Sequence, residues 1–245
     1  MAFLPRPPAT RDEEMIASQT PAIETELTDV ERISLVVREL SAGFTALGKL
    51  GPAVSIFGSA RTPPGSPTYA LAQETARRFG EAGFAVITGG GPGVMEAANR
   101  GASEAGATSV GLNIELPFEQ RTNDWVGLPL DFHYFFTRKL MFVRYACGFV
   151  VMPGGYGTLD EMFEALCLIQ TGKAQHFPVV LVGTEFWSGL RDWLHGSVLG
   201  SGFITAVDVE EVEITDDPEE AVRIVASGAA KQGLQPRPPA PPVGF

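Results

Sequence analysis

Two glycine-rich stretches stand where anion chemistry needs them. TGGGPG, Thr88 to Gly93, follows the apolar run FAVIT and precedes VMEAANRGA, while PGGYGT, Pro153 to Thr158, follows GFVVM and precedes LDEMFEALCLIQ. Successive glycines at a strand-to-helix junction let the backbone take positive φ and approach a ligand closely. The helix N-terminus behind them offers unpaired N–H groups and about half a positive charge. The chemistry this suits is phosphate binding, and two such loops can converge on one anionic group. A tight turn without a ligand is the competing reading of the first loop. Thr158 and Glu161 have the spacing of a capping box, TLDE, in which each side chain satisfies a backbone donor at a helix start. A carboxylate beside a phosphate cradle is also placed to meet a sugar attached to that phosphate, and the two roles are compatible. Arg138 and Lys139 fall in the first turn of the expected helix TRKLMFVRYA, where exposed cations oppose the helix dipole at about 0.3 to 1 kcal/mol each. Something anionic must compensate, either a ligand or a neighbouring Asp or Glu. FHYFF just ahead supplies aromatic surface for a base or for the core.

Other site chemistries fail on spacing. Neither loop reads GxGxxG: Gly89 and Gly91 supply the first two glycines, but Val94 stands where the third belongs. A dinucleotide-dependent oxidoreductase, with Glu115 as ribose ligand at the end of the third strand, is therefore a weaker alternative. No GxxxxGK[ST] is present. Cys147 and Cys167 form no CxxC, and His133, His176 and His195 form no cluster, so no disulfide framework, metal site or cofactor is called for.

The elements that must position these residues follow from periodicity. AVSIF, FAVIT, TSVGL, GFVVM and PVVLV are short β-branched or aromatic runs separated by segments long enough for helices over 67–82, 93–106, 137–147 and 158–171. Such alternation predicts a parallel sheet covered on both faces. VEIT followed by DDPEEAVRIVA adds a last strand and a helix with an Asp cap and Pro218 in its first turn. Val30, Ile33, Val36, Val37, Leu40, Phe44 and Leu47 recur at helical spacing over 28–49, which predicts an amphipathic leading helix. The fold class expected is α/β: a doubly wound, mostly parallel, Rossmann-like sheet with an extra N-terminal helix. Residues 25–228 form the one domain, and the Pro-rich stretches 1–24 and 229–245 are disordered tails; an SH3-type ligand within 236–242 is the functional alternative.

Composition narrows the partners. Of 245 residues, 44% are hydrophobic and 19% charged, and 18 basic against 29 acidic side chains leave a net charge of −11. That balance argues against nucleic-acid binding by counterion release. No apolar run reaches the roughly 18 to 20 residues of a membrane span, and the first residues lack the apolar region of a secretory signal. A cytoplasmic location is expected.

GGGPGVMEAANRGA, FFTRKLMFVRYA and PGGYGTLDEMFEAL together resemble the Lonely Guy (LOG) family of phosphoribohydrolases, also called possible lysine decarboxylases, over roughly residues 30–228. The pairing of an RK helix with PGGxGTxxE about twenty residues later carries the resemblance. It implies hydrolysis of the N-glycosidic bond of cytokinin riboside 5′-monophosphates, or of AMP, to free base and ribose 5-phosphate. It places the catalytic pair on Arg138 and Glu161. Nucleotide contacts fall on Lys139, Gly154, Gly155, Tyr156, Gly157, Thr158 and, by looser alignment, Glu119, with the first loop matching through Gly89, Gly90, Gly91, Gly93 and Met95. Cys147, where many members have aspartate, and FFTRK, where plant-like members have Met-His before the RK, point to the longer bacterial branch. The resemblance also implies a homodimer or higher homo-oligomer, with the apolar face of helix 28–49 as a candidate contact. A non-catalytic nucleotide or cofactor carrier of the same fold is the main alternative. Decarboxylation does not fit, because none of Lys49, Lys139, Lys173 and Lys231 sits in a recognisable pyridoxal phosphate motif.

Overall fold

The apolar runs become the strands of one sheet. In the computed structural model, which describes residues 6–17, 20, 22–117, 121–174 and 177–237, these are β1 (Ala53–Phe57), β2 (Ala85–Thr88), β3 (Ser109–Ile114), β4 (Leu128–Phe132), β5 (Phe149–Val151), β6 (Val179–Val182) and β7 (Val212–Thr215). All pairings are parallel and the order is β4-β3-β2-β1-β5-β6-β7. The register sets Ser55 of β1 between Ile87 of β2 and Phe149 of β5. The sequence-based reading lacks β4, whose Leu-Pro-Leu core hides the usual pattern. Proline has no N–H to give a ladder and is tolerated here because β4 is an edge strand.

The helices are α1 (Arg11–Ile16), α2 (Asp29–Leu47), α3 (Pro67–Glu81), α4 (Val94–Glu104), α5 (Phe135–Tyr145), α6 (Tyr156–Gln170), α7 (Thr184–Trp193, continued by a π-helical turn over Leu194–Leu199), α8 (Ala206–Glu210) and α9 (Pro218–Lys231). Their starts carry the expected chemistry in several cases: Ser66 caps α3 ahead of Pro67, and Asp217 caps α9 ahead of Pro218. Alternate residues along each strand point to opposite layers. Val54, Ile56, Val86 and Val180 pack with α3, α4 and α9, whereas Phe57, Ile87, Leu112 and Phe149 pack with α2, α5, α6 and α7. Each such buried side chain contributes about 1.5 to 3 kcal/mol.

Two expectations about the ends need correction. The stretch 1–24 is not wholly a tail, because Thr10 caps α1 and the buried Glu14 accepts the backbone N–H groups of Glu26 and Leu27. Carboxylates rather than apolar area tie this segment down, so composition does not reveal it. Likewise α9 runs past residue 228: Ala229 is fully buried and Gln232 Nε2 donates to the Cys147 carbonyl. The SH3-type ligand expected at 236–242 falls mostly outside the described residues. Helix α2 forms as expected, with Thr28 and Glu31 completing a capping box. Its apolar stripe faces outward, however. Val30 is 74% exposed and Ile33 61%, while Gly43 and Leu47 turn inward.

Candidate active site

Three loops meet at the carboxyl end of β1. The chain winds outward from β1 through β2 and β3 to β4, then returns along α5 to β5 on the other side of β1. That reversal opens a crevice beyond the strand ends. Ser59, just after β1, joins the two glycine loops: its N–H donates to the Pro153 carbonyl at 3.0 Å and its carbonyl accepts the Val94 N–H at 3.0 Å. The two loops therefore do converge. Gly93 has φ +70°, and a Cβ there would run into the Ser59 carbonyl, so only glycine fits. Val94, where a dinucleotide fingerprint needs glycine, instead packs its side chain onto Gly58 of the β1 loop.

The first loop is clamped from behind. Thr88 Oγ1 accepts the Gly90 N–H at 2.9 Å and donates to Asn99 Oδ1 at 2.6 Å. Asn123 Nδ2 reaches the Gly90 and Gly91 carbonyls, both at 3.0 Å, and Asn99 Oδ1 at 2.9 Å. Asn99 continues the network to Ser109 Oγ and the Val110 carbonyl. These buried polar groups are mutually satisfied, which fixes the loop rigidly. Nothing in the sequence marks Asn99 or Asn123, whereas Ser59 stands in a third glycine-containing turn, FGSA, directly after a strand.

Neither helix that follows a glycine loop has a side-chain cap: Gly93 precedes α4 and Gly155 precedes α6. The capping box expected at Thr158–Glu161 is therefore not formed, because α6 starts at Tyr156 and puts Thr158 in its first turn and Glu161 in its second. Thr158 is buried beneath Gly154, where a Cβ would strike its hydroxyl. Gly155 and Gly157 face open space, and Tyr156 is 93% exposed. The amides of the first turn of α6 have no side-chain acceptor of their own, which is what an anion site requires.

Arg138 and Glu161 meet between the loops. Nη2 of Arg138 on α5 lies 3.7 Å from Oε1 of Glu161 on α6, and both side chains are nearly enclosed. A Cβ on Gly89 would lie 3.9 Å from Arg138 Nη1, so the guanidinium also borders the first loop. The rings of Phe135 and Phe142 flank it at 5.2 and 5.5 Å. Its Nε is buried without a hydrogen-bond partner among the described residues. Burial pushes the Glu161 carboxyl up to about 7, against the opposing pull of Arg138 and Lys139. Burial also works against the charge of Arg138, but a guanidinium starts so high that it remains a cation. Lys139 does not share this position. Its Nζ is held between Asp160 and Glu164 of α6, both at 2.9 Å. Burial opposes its charge, yet the two carboxylates win and its pKa rises.

The match to known proteins follows this geometry. A profile of the family described as Possible lysine decarboxylase, which includes the Lonely Guy proteins, matches residues 95–225, more than half of the chain. A Mycobacterium tuberculosis protein named cytokinin riboside 5′-monophosphate phosphoribohydrolase is 30% identical over 168 residues, covering 66% of this chain and 89% of its own. The chain belongs to the LOG family. A further relative is the Escherichia coli K12 protein named pyrimidine/purine nucleotide 5′-monophosphate nucleosidase, 29% identical over 131 residues, 48% of this chain and 28% of its own. Among solved structures, the Moco carrier protein of Chlamydomonas reinhardtii is 26% identical with a TM-score of 0.52, covering 74% of this chain and 99% of that one.

Within this LOG chain, Gly89, Gly90, Gly91, Gly93, Arg138, Gly154, Gly155, Gly157, Thr158 and Glu161 all belong to the two loops or the pair between them. Glu119 lies outside the described residues. Glu115 is engaged elsewhere, accepting the Arg11 N–H at 3.1 Å. The older family description fits the lysines poorly. Lys49, Lys173 and Lys231 follow or end helices at the amino ends of the strands, away from the loops, and Lys139 is kept charged by two acids, whereas Schiff-base chemistry needs a neutral amine. Among the described residues no group of His, Cys, Asp and Glu forms a metal site, and no helix is long and apolar enough to cross a membrane.

Proposed function

We propose that this protein hydrolyses the N-glycosidic bond of adenosine 5′-monophosphates, N6-substituted ones included, to free base and ribose 5-phosphate. The observation that carries the reading is the Arg138–Glu161 pair lodged between two glycine loops whose helices lack side-chain caps. The loop amides take the 5′-phosphate. The Glu161 carboxylate faces the ribose, where it holds hydroxyls and stabilises the positive charge that grows as the bond to the base stretches. The bonding pair leaves with the base nitrogen; water delivers hydroxide to the anomeric carbon, and its remaining proton balances the departing base. Arg138 orients Glu161 and binds phosphate or ribose oxygens, since a guanidinium is a poor acid near neutral pH. The names carried by the Mycobacterium and Escherichia coli relatives support this reaction class. Copies of the chain associate through the exposed stripe of Val30, Ile33 and Val37 on α2.

The likeness to the Moco carrier favours a second reading, a carrier that binds without turnover. Incubation of the purified protein with a panel of nucleoside 5′-monophosphates, with the products separated by chromatography, decides between them. Hydrolysis gives equal amounts of base and ribose 5-phosphate. Binding with no released base from any member of the panel overturns the proposal.

A further inference from the structure

Helix α5 carries Arg138 but has no cap of its own: Tyr134 at its N-cap offers no side-chain acceptor. The acceptors come from elsewhere. Glu39 of α2, itself buried, takes the His133 N–H and faces His133 Nδ1 with Oε1, both at 2.8 Å, and takes the Thr137 hydroxyl with Oε2 at 2.6 Å. Asp12 of α1 takes the Phe135 N–H at 3.1 Å. One turn further along both α2 and α5, Gly43 meets Met141 so closely that a Cβ on the glycine would lie 2.6 Å from Met141 Sδ. Two consecutive contacts at i and i+4 on each helix fix both the height and the rotation of α5.

We propose that Glu39 is a positioning residue for the reaction, acting through Thr137 on Arg138. Thr137 is fully buried and immediately precedes Arg138, whose own N–H closes the first helical hydrogen bond onto the Tyr134 carbonyl. A rotation of α5 that released Thr137 from Glu39 would swing the guanidinium away from Glu161 and Gly89. Burying a carboxylate is costly unless its lone pairs are used, and both oxygens of Glu39 are used on the single turn that leads into Arg138. Glu39 lies on α2, outside the span matched by the family profile. The inference rests on the reaction proposed for Arg138 and Glu161.

The test compares Glu39→Gln, Thr137→Val and Thr137→Ser in the full chain, following base release from AMP and hydrogen exchange of the amides over 133–139. Serine keeps the hydroxyl that Glu39 accepts and rescues; valine keeps the shape but not the hydroxyl. Glu39→Gln and Thr137→Val should each lower kcat about tenfold or more with KM within about threefold, and the double variant should be no slower than the worse single one. Exchange over 133–139 should quicken in both, with α3 unchanged. Unaltered exchange, or unaltered kcat in an active parent, overturns the positioning role. A parent that releases no base overturns the proposed reaction instead, and the exchange result then decides the role of Glu39.

Discussion

Arg138 Nη2 and Glu161 Oε1 stand 3.7 Å apart on two different helices, each nearly sealed from solvent, with Arg138 bordering the first glycine loop and Glu161 on the helix that the second loop starts. Burial works against both charges and carries the Glu161 carboxyl up to about 7. A pair kept at this cost, at the switch point of a doubly wound sheet, is where chemistry is to be sought.

The pair makes the protein pH-sensitive in two opposite ways. The Glu161 carboxyl rises from 4.5 to about 7 on folding, chiefly through burial. Between those values the folded state holds a proton that the unfolded state has lost, so stability falls as pH rises through this window. Glu161→Gln should remove that part of the slope, as read from urea midpoints at successive pH values. Activity should move the other way: with the carboxylate as the working form, kcat/KM rises about tenfold per pH unit below the folded pKa and levels above about 7.

Two glycines of the cradle should respond differently to a methyl group. Gly93→Ala forces a side chain into a φ of +70° and against the Ser59 carbonyl. It should destabilise the domain by about 1 to 3 kcal/mol. Gly157→Ala projects into open space within the first turn of α6. It should stabilise the helix by about 0.5 to 1 kcal/mol while weakening AMP binding, because the methyl takes room that the phosphate needs. Thermal melts with and without AMP separate the two effects.

Asn123→Ala removes the amide that holds the Gly90 and Gly91 carbonyls and Asn99. The Asn123 backbone N–H still serves the Gly90 carbonyl and the Thr88 hydroxyl still serves Asn99 Oδ1, so the loss falls on the Gly91 carbonyl, at about 1 to 3 kcal/mol. The variant should lose stability by about that much and bind AMP more weakly. An unchanged calorimetric Kd would show that loop rigidity does not matter for the ligand.

Much of this site was legible in the sequence because its parts are local. A strand, a run of glycines and a helix are contiguous at Thr88–Gly93 and at Pro153–Thr158, and the loop geometry follows from residue type. Long-range partners left no such trace. Glu39 meets Thr137 98 positions later, and Asn123 reaches back 33 to Gly90; nothing in either neighbourhood announces the contact. The TLDE spacing misled for a related reason: Gly155, in an extended conformation, starts α6 before Thr158 can cap it. The periodicity of α2 predicts its helix, and the stripe that faces outward is the face read in the sequence as a candidate contact. Pro129 concealed β4, and α1 is anchored by acids that composition counts as solvent-loving.

The most direct measurement places the parent and Glu161→Gln side by side at neutral pH and follows adenine and ribose 5-phosphate released from AMP. Glutamine keeps the size of glutamate without its charge, so the variant should melt within a few degrees of the parent while turnover falls by about two to four orders of magnitude. Equal rates in the two proteins would contradict the account, because the acid beside Arg138 would then have no part in breaking the bond.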